Sequence, residues 1–253
     1  MTGALPRPLA NALLLAAAAG LLVACGGAST SSTNGAAVRA SATVARARAR
    51  AYAHAVNLRA SDVPAMTSSS AEGEATQTSD AKRSSAEFVN CYGGVSPALR
   101  IAKIRSPEFS TGRAADSQTV QSAVEVWPSA SVAARNNASY LSRRGRVCFK
   151  RFLRARDKQL NTQRAGKLQF GPLRVATVAY PLPGVSRAAI TSVAETLVRG
   201  GRIRYRIYRD IFTFVRGPAE VELLATGFSH PVPTATEERL LLKLALRANE
   251  GKP

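Results

Sequence analysis

The sequence has few of the side chains that most enzymes use for catalysis or metal binding. Its 253 residues include only two histidines, His54 and His230, and neither has a cysteine or carboxylate partner at ligand spacing. No glycine-rich phosphate-binding loop and no nucleophile motif is found. We therefore expect a non-enzymatic protein that holds no cofactor and no metal.

Long hydrophobic runs are also absent. The longest run, Ala12 to Ala24, has 13 residues, whereas a membrane-spanning helix needs about 20. It follows a single basic residue, Arg7, and it ends in Leu22-Val23-Ala24-Cys25, after which two glycines follow. These features predict that residues 1–24 are a cleaved export signal.

The Leu22–Cys25 segment resembles the lipobox of bacterial lipoproteins, of the kind found in actinobacteria. The resemblance implies that Cys25 becomes the first residue and carries a diacylglycerol thioether and a further acyl chain, such as palmitate. The chain would then be held at the extracytoplasmic face of the cell membrane through this lipid. The alternative is an ordinary signal peptide with a chance cysteine near its cleavage site, which would give a secreted protein.

Acidic residues are scarce, with 16 against 35 lysines and arginines, and the net charge is +19. Removal of residues 1–24 takes away only Arg7, which leaves 34 basic and 16 acidic residues and a net charge of +18. Such an excess attracts anionic partners. For an exported protein these are anionic lipids or wall polymers rather than nucleic acid. The alternative is a compositional bias, because the chain is rich in alanine and arginine throughout.

Only three cysteines are present: Cys25, Cys91 and Cys148. If Cys25 carries lipid, the other two suffice for one disulfide, as is common in an oxidising compartment. The alternative is a pair of buried free thiols.

Composition divides the mature chain into three parts. Residues 25–45 are rich in serine, threonine, glycine and alanine, which predicts a flexible tether. Residues 46–84 are predicted to form an arginine-rich helix, within Val44–Arg59, and a low-complexity loop over Ala60–Asp80. Residues 85–250 are predicted to form an extracellular domain.

Hydrophobic periodicity within that domain predicts an α+β fold, an antiparallel meander sheet packed by helices. Gly200-Gly201 is typical of a hairpin turn. Trp127, Tyr205 and Phe214 are predicted core side chains. The predicted strands are 118–127, 168–180, 188–198, 202–208 with its continuation 211–215, and 220–225, and the predicted helices are 129–141, 146–160 and 237–248.

Arginines alternate with apolar residues in the strand Arg202-Ile203-Arg204-Tyr205-Arg206-Ile207. Side chains two apart on a strand share a face, so Arg202, Arg204 and Arg206 would form one row. Such a row could bind carboxylates or phosphates. The alternative is a solvent-facing row that a neighbouring strand neutralises, with Glu195, Glu220 and Glu222 as the acidic residues available.

The order of these parts resembles that of PknH-like extracellular sensor domains. The resemblance rests on Cys91, the segment Val126–Ala130, Cys148, the segment Tyr208–Asp210 and the leucine-rich final helix. It implies a disulfide-stabilised α+β domain with a cleft for an extracellular ligand and no enzymatic activity. The kinase-linked members have more disulfides than this chain can form, so no binding residue is carried over.

Together these observations predict a membrane-anchored extracytoplasmic lipoprotein whose domain binds a ligand or partner of the cell envelope, in the manner of a sensor. Two alternatives come from other functional classes: a hydrolase that acts on the envelope, and a structural protein of wall adhesion.

Overall fold

The structure is a computed structural model, and it describes residues 32–74, 79–112, 116–163, 168–201 and 203–251. Cys25 and the predicted signal peptide, residues 1–24, lie outside the described residues. The helices are α1 (Ser32–Val56), α2 (Ser79–Tyr92), α3 (Ala130–Leu141), α4 (Arg143–Gln163) and α5 (Thr234–Glu250). The strands are β1 (Thr67–Ser68), β2 (Gly73–Glu74), β3 (Ala102–Arg105), β4 (Phe109–Thr111), β5 (Gln118–Val126), β6 (Leu168–Phe170), β7 (Arg174–Ala179), β8 (Ser186–Arg199), β9 (Ile203–Arg216) and β10 (Ala219–Phe228).

The chain divides into two compact units, residues 1–39 and residues 40–253. The described part of the first unit is helical, because α1 begins at Ser32. This part of α1 overlaps the tether predicted over 25–45, residues 25–31 lie outside the described residues, and the flexible tether stays a prediction. The overlapping segment is rich in alanine, which has the highest intrinsic helix propensity. No helix in the described ranges is long and apolar enough to cross a membrane.

The second unit contains an antiparallel sheet of ten strands among the described residues. Seven of them are hydrogen-bonded neighbours in the order β1-β4-β5-β10-β9-β8-β6. The short strand β3 also pairs with β5 and carries β2 on its other edge, while β7 pairs with β8 beside β6. Every pairing is antiparallel. The α+β class and the antiparallel meander over β8, β9 and β10 are thus confirmed.

A tight hairpin joins β8 and β9, the two longest strands. Gly200 and Gly201 have φ angles of 60° and 72°, a left-handed region that glycine adopts without steric cost. Arg199 pairs with Ile203 directly beyond this turn. β9 then continues without a break to Arg216, so the two segments predicted at 202–208 and 211–215 form one strand.

The main hydrophobic core lies between one face of the sheet and two helices, the C-terminal half of α1 and α5. We call this sheet face the α1/α5 face; it carries Val124, Phe214 and Val221. Leu240 and Leu244 pack against it from α5 and are fully buried. The predicted final helix is confirmed, and three of the leucines predicted to pack it onto the sheet, Leu240, Leu241 and Leu244, are buried, whereas Leu246 is exposed.

The domain starts earlier than residue 85, where it was predicted to start. Tyr52, Val56 and Leu58 are buried in the main core, and the Tyr52 hydroxyl donates a hydrogen bond of 3.2 Å to the Ala248 carbonyl oxygen in α5. The predicted loop over 60–80 contains β1 and β2, which pair with the sheet. The apolar face of this helix was missed in the sequence because alternating arginines precede it. Tyr52 and Val56 are four residues apart, so they lie on one side of the helix.

The opposite face of the sheet, which we call the α2–α4 face, is covered by α3 and α4, with α2 packed on α4. It carries Trp127, Val193 and Val215. A disulfide joins Cys91 at the end of α2 to Cys148 in α4, with 5.8 Å between the Cα atoms. The predicted pairing of these two cysteines is confirmed.

Candidate functional site

A cavity of about 160 Å³ lies between the α2–α4 face of the sheet and the helices α2 and α3. The sheet forms its floor and α2 forms one wall, which the Cys91–Cys148 disulfide joins to α4. The side chains that line it come from α2, β3, β5, α3, β9 and β10: Ser85, Phe88, Val89, Tyr92, Val95, Pro97, Arg100, Lys103, Ala123, Glu125, Trp127, Asn136, Tyr140, Thr213, Glu220 and Glu222.

Strand register brings three carboxylates together on the cavity floor. Glu125 of β5 lies directly opposite Glu220 of β10, and Glu222 is the next residue of β10 on the same face. Like charges that face each other across a sheet destabilise it. The arrangement therefore requires compensation from the groups around it.

Glu125 is compensated by two cations. Arg100 Nη1 lies 2.7 Å from Glu125 Oε1, and Lys103 Nζ binds the same oxygen. Burial alone would raise the pKa of Glu125, but Lys103 and Arg100 outweigh it and hold the pKa below its ordinary value. Arg100 also lies 5.8 Å from the centre of the Trp127 ring, within cation–π range.

Glu220 is held by amides instead of cations. Asn136 Nδ2 donates to Glu220 Oε2 at 2.8 Å and Asn137 Nδ2 donates to Oε1 at 3.3 Å. The Asn136 amide is fixed in this orientation, because its Oδ1 accepts hydrogen bonds from the Tyr92 hydroxyl and the Val95 backbone N–H. Burial and the nearby Glu125 charge raise the pKa of Glu220 to about 7, although the two asparagine hydrogen bonds oppose the rise. Glu220 therefore titrates near neutral pH.

Glu222 is the third carboxylate of the floor, and it lies opposite Thr213 of β9. No ion pair or hydrogen bond of its side chain occurs among the described residues. Desolvation raises the pKa of Glu222 above its ordinary value, while Lys103 lowers it and Glu125 raises it further. Neither Glu220 nor Glu222 thus forms an ion pair among the described residues, but Glu220 is half-buried whereas Glu222 is exposed to solvent.

Two buried polar atoms of the lining have no hydrogen-bond partner among the described residues. They are Trp127 Nε1, on a residue that is 2% exposed, and Thr213 Oγ1, on a residue that is 4% exposed. A buried donor or hydroxyl without a partner costs about 1–3 kcal/mol. Both atoms belong to residues that line the polar cavity, although neither atom is itself open to it.

The lining is therefore equipped for binding a small polar molecule. It presents acceptors at Glu220 and Glu222, with aromatic walls from Tyr92 and Tyr140. Burial raises the pKa of both tyrosines, so their hydroxyls stay protonated at neutral pH. No histidine or cysteine lines this cavity. In the part of the chain that the structure describes, no group of three or more His, Cys, Asp or Glu residues is placed to hold a metal ion.

The predicted arginine row does not belong to this cavity. Arg204 and Arg206 are exposed on β9, on the α1/α5 face beyond the end of the main core, and Arg202 lies outside the described residues. The guanidinium of Arg206 lies 5.6 Å from the centre of the Tyr208 ring. The ligand-binding role of Arg202, Arg204 and Arg206 stays a prediction.

The alternative for this row, a solvent-facing row that neighbouring glutamates neutralise, agrees with the structure in one part only: Arg204 and Arg206 face solvent, but the glutamates do not neutralise them. Glu195 lies opposite Ile207, and it is bound by Arg209 and Arg156 on the α2–α4 face. Glu220 and Glu222 line the cavity on that same face. Residues directly opposite in an antiparallel pair share a face, so the three glutamates lie on the other side of the sheet from Arg204 and Arg206.

Sequence reasoning did not find the cavity. A usable signal existed, because Glu125 of one strand and Glu220 and Glu222 of another alternate with apolar residues and so place acidic groups on one face of the sheet. Trp127 was predicted as a core side chain, and its ring is indeed buried. Its indole nitrogen nevertheless has no protein partner among the described residues.

No known family model matches the sequence, and no curated protein is similar to it. A solved structure that is similar is the extracellular domain of PknH from Mycobacterium tuberculosis. The two chains are 15% identical, the match covers 78% of this chain and 95% of that domain, and the TM-score is 0.41. The sequence resemblance named the same kind of domain. Likeness at this level shows nothing about the function of this chain.

Proposed function

We propose that this chain is a lipid-anchored extracytoplasmic lipoprotein whose domain binds a small polar ligand without chemically changing it, as a sensor-like module of the cell envelope. The observation that carries the binding role is the cavity, in which Trp127 Nε1 and Thr213 Oγ1 lack partners beside the uncompensated Glu220. If these positions contributed only to stability, we would expect hydrogen-bonded polar groups or apolar groups there.

The location is supported by two independent features. The Cys91–Cys148 disulfide is of the kind that persists in oxidising compartments and is rare in the cytosol. The Leu22–Cys25 segment supplies the export and lipidation signal. An envelope hydrolase remains the competing class: no histidine or cysteine lines the cavity, but hydrolysis by a pair of carboxylates needs neither.

Changing Thr213 to valine tests whether the cavity is built for a ligand. We expect this change to stabilise the unliganded domain by about 1 kcal/mol, because it removes a buried hydroxyl that has no partner. The matched control is Thr191→Val. Thr191 is equally buried on the same face, but its hydroxyl is bonded to that of Thr177 at 3.1 Å.

Urea denaturation of the two variants gives the comparison. Thr191→Val should destabilise the domain by about 1 kcal/mol, so the two changes are expected to have opposite signs. If Thr213→Val destabilises as much as Thr191→Val, its hydroxyl has a permanent partner, such as a structural water, and the argument for a ligand site fails.

The anchor is tested by changing Cys25 to serine in the producing cell. We expect the wild-type chain to sediment with membranes and to take up labelled palmitate, and the variant to do neither, because two or more acyl chains are needed for stable anchoring. Equal membrane retention of both forms would contradict the proposal.

We also propose that Arg204 and Arg206 bind anionic lipid or wall polymer. The Cys25→Ser protein tests this contact without the lipid anchor, and its binding to anionic vesicles should fall when both arginines are changed to alanine.

A further inference from the structure

Helix α4 concentrates positive charge. Its 21 residues include eight lysines and arginines and one acidic residue, Asp157. The whole chain has 35 basic residues among 253, so basic residues are far denser in α4 than in the chain as a whole. The helix before it, α3, has only Arg135 among its 12 residues. A bias spread evenly over the sequence does not explain this concentration.

Five of these cations lie on one exposed face of the helix. At 3.6 residues per turn they fall within about 100° of its circumference, and they extend over about 22 Å of its length. Their side chains form no hydrogen bond or ion pair within the described ranges, unlike those of the other three basic residues of α4. We call these five residues the α4 basic surface: Arg143, Lys150, Arg151, Arg154 and Lys158.

The α4 basic surface opposes the stability of its own helix. Lys150, Arg154 and Lys158 are spaced four residues apart, and like charges at this spacing destabilise a helix. Arg143 lies in the first turn, where the helix dipole disfavours a cation. Asp157, the acidic residue of the helix, is buried and already forms an ion pair. A face that served only to keep α4 folded and solvated would alternate charges of opposite sign, so the row indicates an anionic partner.

The elements packed on α4 do not compensate this charge. α3, β6 and β7 contain no acidic residue, and α2 has two basic and two acidic residues. The inner face of α4 meanwhile fixes the helix in place, because Phe149 and Leu153 pack on Val193 of the sheet and Cys148 is bonded to α2. The five cations therefore project from a rigid support, which lowers the entropy lost when they bind.

We propose that the α4 basic surface docks on the anionic phospholipid headgroups of a membrane, with α4 parallel to the bilayer. Val147, which is 55% exposed, is the large apolar side chain on this face, so α4 offers nothing aromatic to insert and the contact is electrostatic. This inference rests on the proposed function for one point, the lipid anchor, which keeps a membrane within reach at a high effective concentration. The surface is separate from Arg204 and Arg206, which lie on the other side of the sheet.

Cosedimentation with vesicles tests the docking without the anchor. The full chain carrying Cys25→Ser is mixed with vesicles of phosphatidylglycerol and phosphatidylcholine, or of phosphatidylcholine alone. We expect binding to the anionic vesicles only, and a loss of binding as salt rises from about 0.1 M to about 1 M and the Debye length falls from about 10 Å to about 3 Å. Arg151→Gln/Arg154→Gln should weaken binding about 25-fold, since each cation near an anionic surface contributes about fivefold.

The matched control removes the same net charge elsewhere. Arg174 of β7 and Arg216 of β9 are exposed on the α1/α5 side of the sheet, and Arg174→Gln/Arg216→Gln should change vesicle binding by no more than about twofold, because distant charges are screened. Urea denaturation shows that both variants fold. The α4 variant should be at least as stable as the parent protein, because glutamine is a good helix former and repulsion is relieved.

The lysines of the protein itself report which surface is in contact. Lys150 and Lys158 belong to the α4 basic surface, whereas Lys243 lies on α5, across the sheet. Acetylation by an amine-reactive reagent, followed by mass spectrometry, measures how accessible each lysine is. Anionic vesicles should protect Lys150 and Lys158 at least severalfold and should leave Lys243 unchanged.

The outcomes separate this docking from the proposed function. Weaker binding of the α4 variant alone, together with protection of Lys150 and Lys158, supports the α4 basic surface as the membrane contact. Equal losses in both double variants would show an effect of net charge and overturn it, as would equal binding to neutral vesicles. Binding to soluble polyphosphate that depends on α4, without binding to vesicles, would reassign the surface to a linear polyanion. Each of these negative results leaves the Cys25 anchor and the cavity untouched, because neither one involves α4 side chains of this row.

Discussion

Changing Asp62 to alanine should lower the free energy of unfolding by about 3 kcal/mol, because it leaves an ion cluster without its only carboxylate. Asp62 is 1% exposed. Its two oxygens accept a bidentate pair of hydrogen bonds from Arg247, both at 2.8 Å, and Oδ1 also accepts one from Lys243 at 3.1 Å. The Arg59 backbone N–H donates to Oδ2 at 2.9 Å.

The position of this cluster explains the size of the effect. Arg247 and Lys243 belong to α5, and Arg247 also donates to the Asn57 carbonyl oxygen at 2.9 Å. Asp62 therefore joins the segment after α1 to the final helix, across the edge of the main core. Urea denaturation measures the loss, with Glu87→Ala as the control because Glu87 is exposed on α2; that variant should stay within about 0.5 kcal/mol of wild type.

The same cluster predicts how stability depends on pH. Burial alone would raise the pKa of Asp62, but the hydrogen bonds from Arg247, Arg59 and Lys243 lower it to about 2. Because the folded-state pKa is below the unfolded value of about 3.9, this contribution is complete above pH 4 and is lost as the pH falls toward 2. It amounts to about 2 kcal/mol. Asp62→Asn should lack this part of the acid dependence, and an unchanged acid profile would contradict the assignment.

Removal of the Cys91–Cys148 disulfide should cost about 4 kcal/mol, the chain-entropy value for a closed loop of 57 residues. The double change to serine and treatment with a reductant should give the same loss in urea denaturation. Cys25→Ser is the control, because it removes the third cysteine and leaves the bridge in place. A loss below about 1 kcal/mol would show that the packing of α2 on α4 holds these helices without the bond.

The packing of α2 on α4 is extensive, so reduction of the disulfide should loosen α2 before it unfolds the rest of the domain. Phe88 stacks on Phe152 of α4 at a centroid distance of 5.0 Å, and it also contacts Tyr92 and Tyr140. α2 is nevertheless bound mainly to α4 rather than to the sheet. Hydrogen exchange should become faster in α2 before the rest of the domain opens. Because α2 forms a wall of the cavity, ligand binding should weaken along with it.

The sheet and the later helices could be predicted from the sequence because their signals are local. Strict alternation identified β9, the Gly200-Gly201 pair identified its turn, and the leucine-rich segment near the end of the sequence identified α5. The disulfide could also be inferred, since Cys91 and Cys148 are the only cysteines left after Cys25 is assigned to lipid. These features need no knowledge of what lies next to them in space.

Features that depend on register or on distant partners could not be predicted. The faces of Glu195, Glu220 and Glu222 follow from which residue each one opposes across the sheet, and no local pattern states that. The strands β3 and β4 have four and three residues, too few for an alternation to be recognised. α1 was predicted as an exposed basic helix because its apolar residues are few, yet Tyr52 and Val56 are buried against elements at the other end of the chain.

The hydrogen bond between Tyr52 and Ala248 joins residues 196 positions apart, and this separation has a consequence for biogenesis. During synthesis or export, the first helix and the sheet emerge long before α5, so the apolar α1/α5 face stays uncovered until the last twenty or so residues arrive. Contacts of such long range also slow folding. A chain that stalls or is clipped just before Thr234 would present this apolar face to chaperones and proteases.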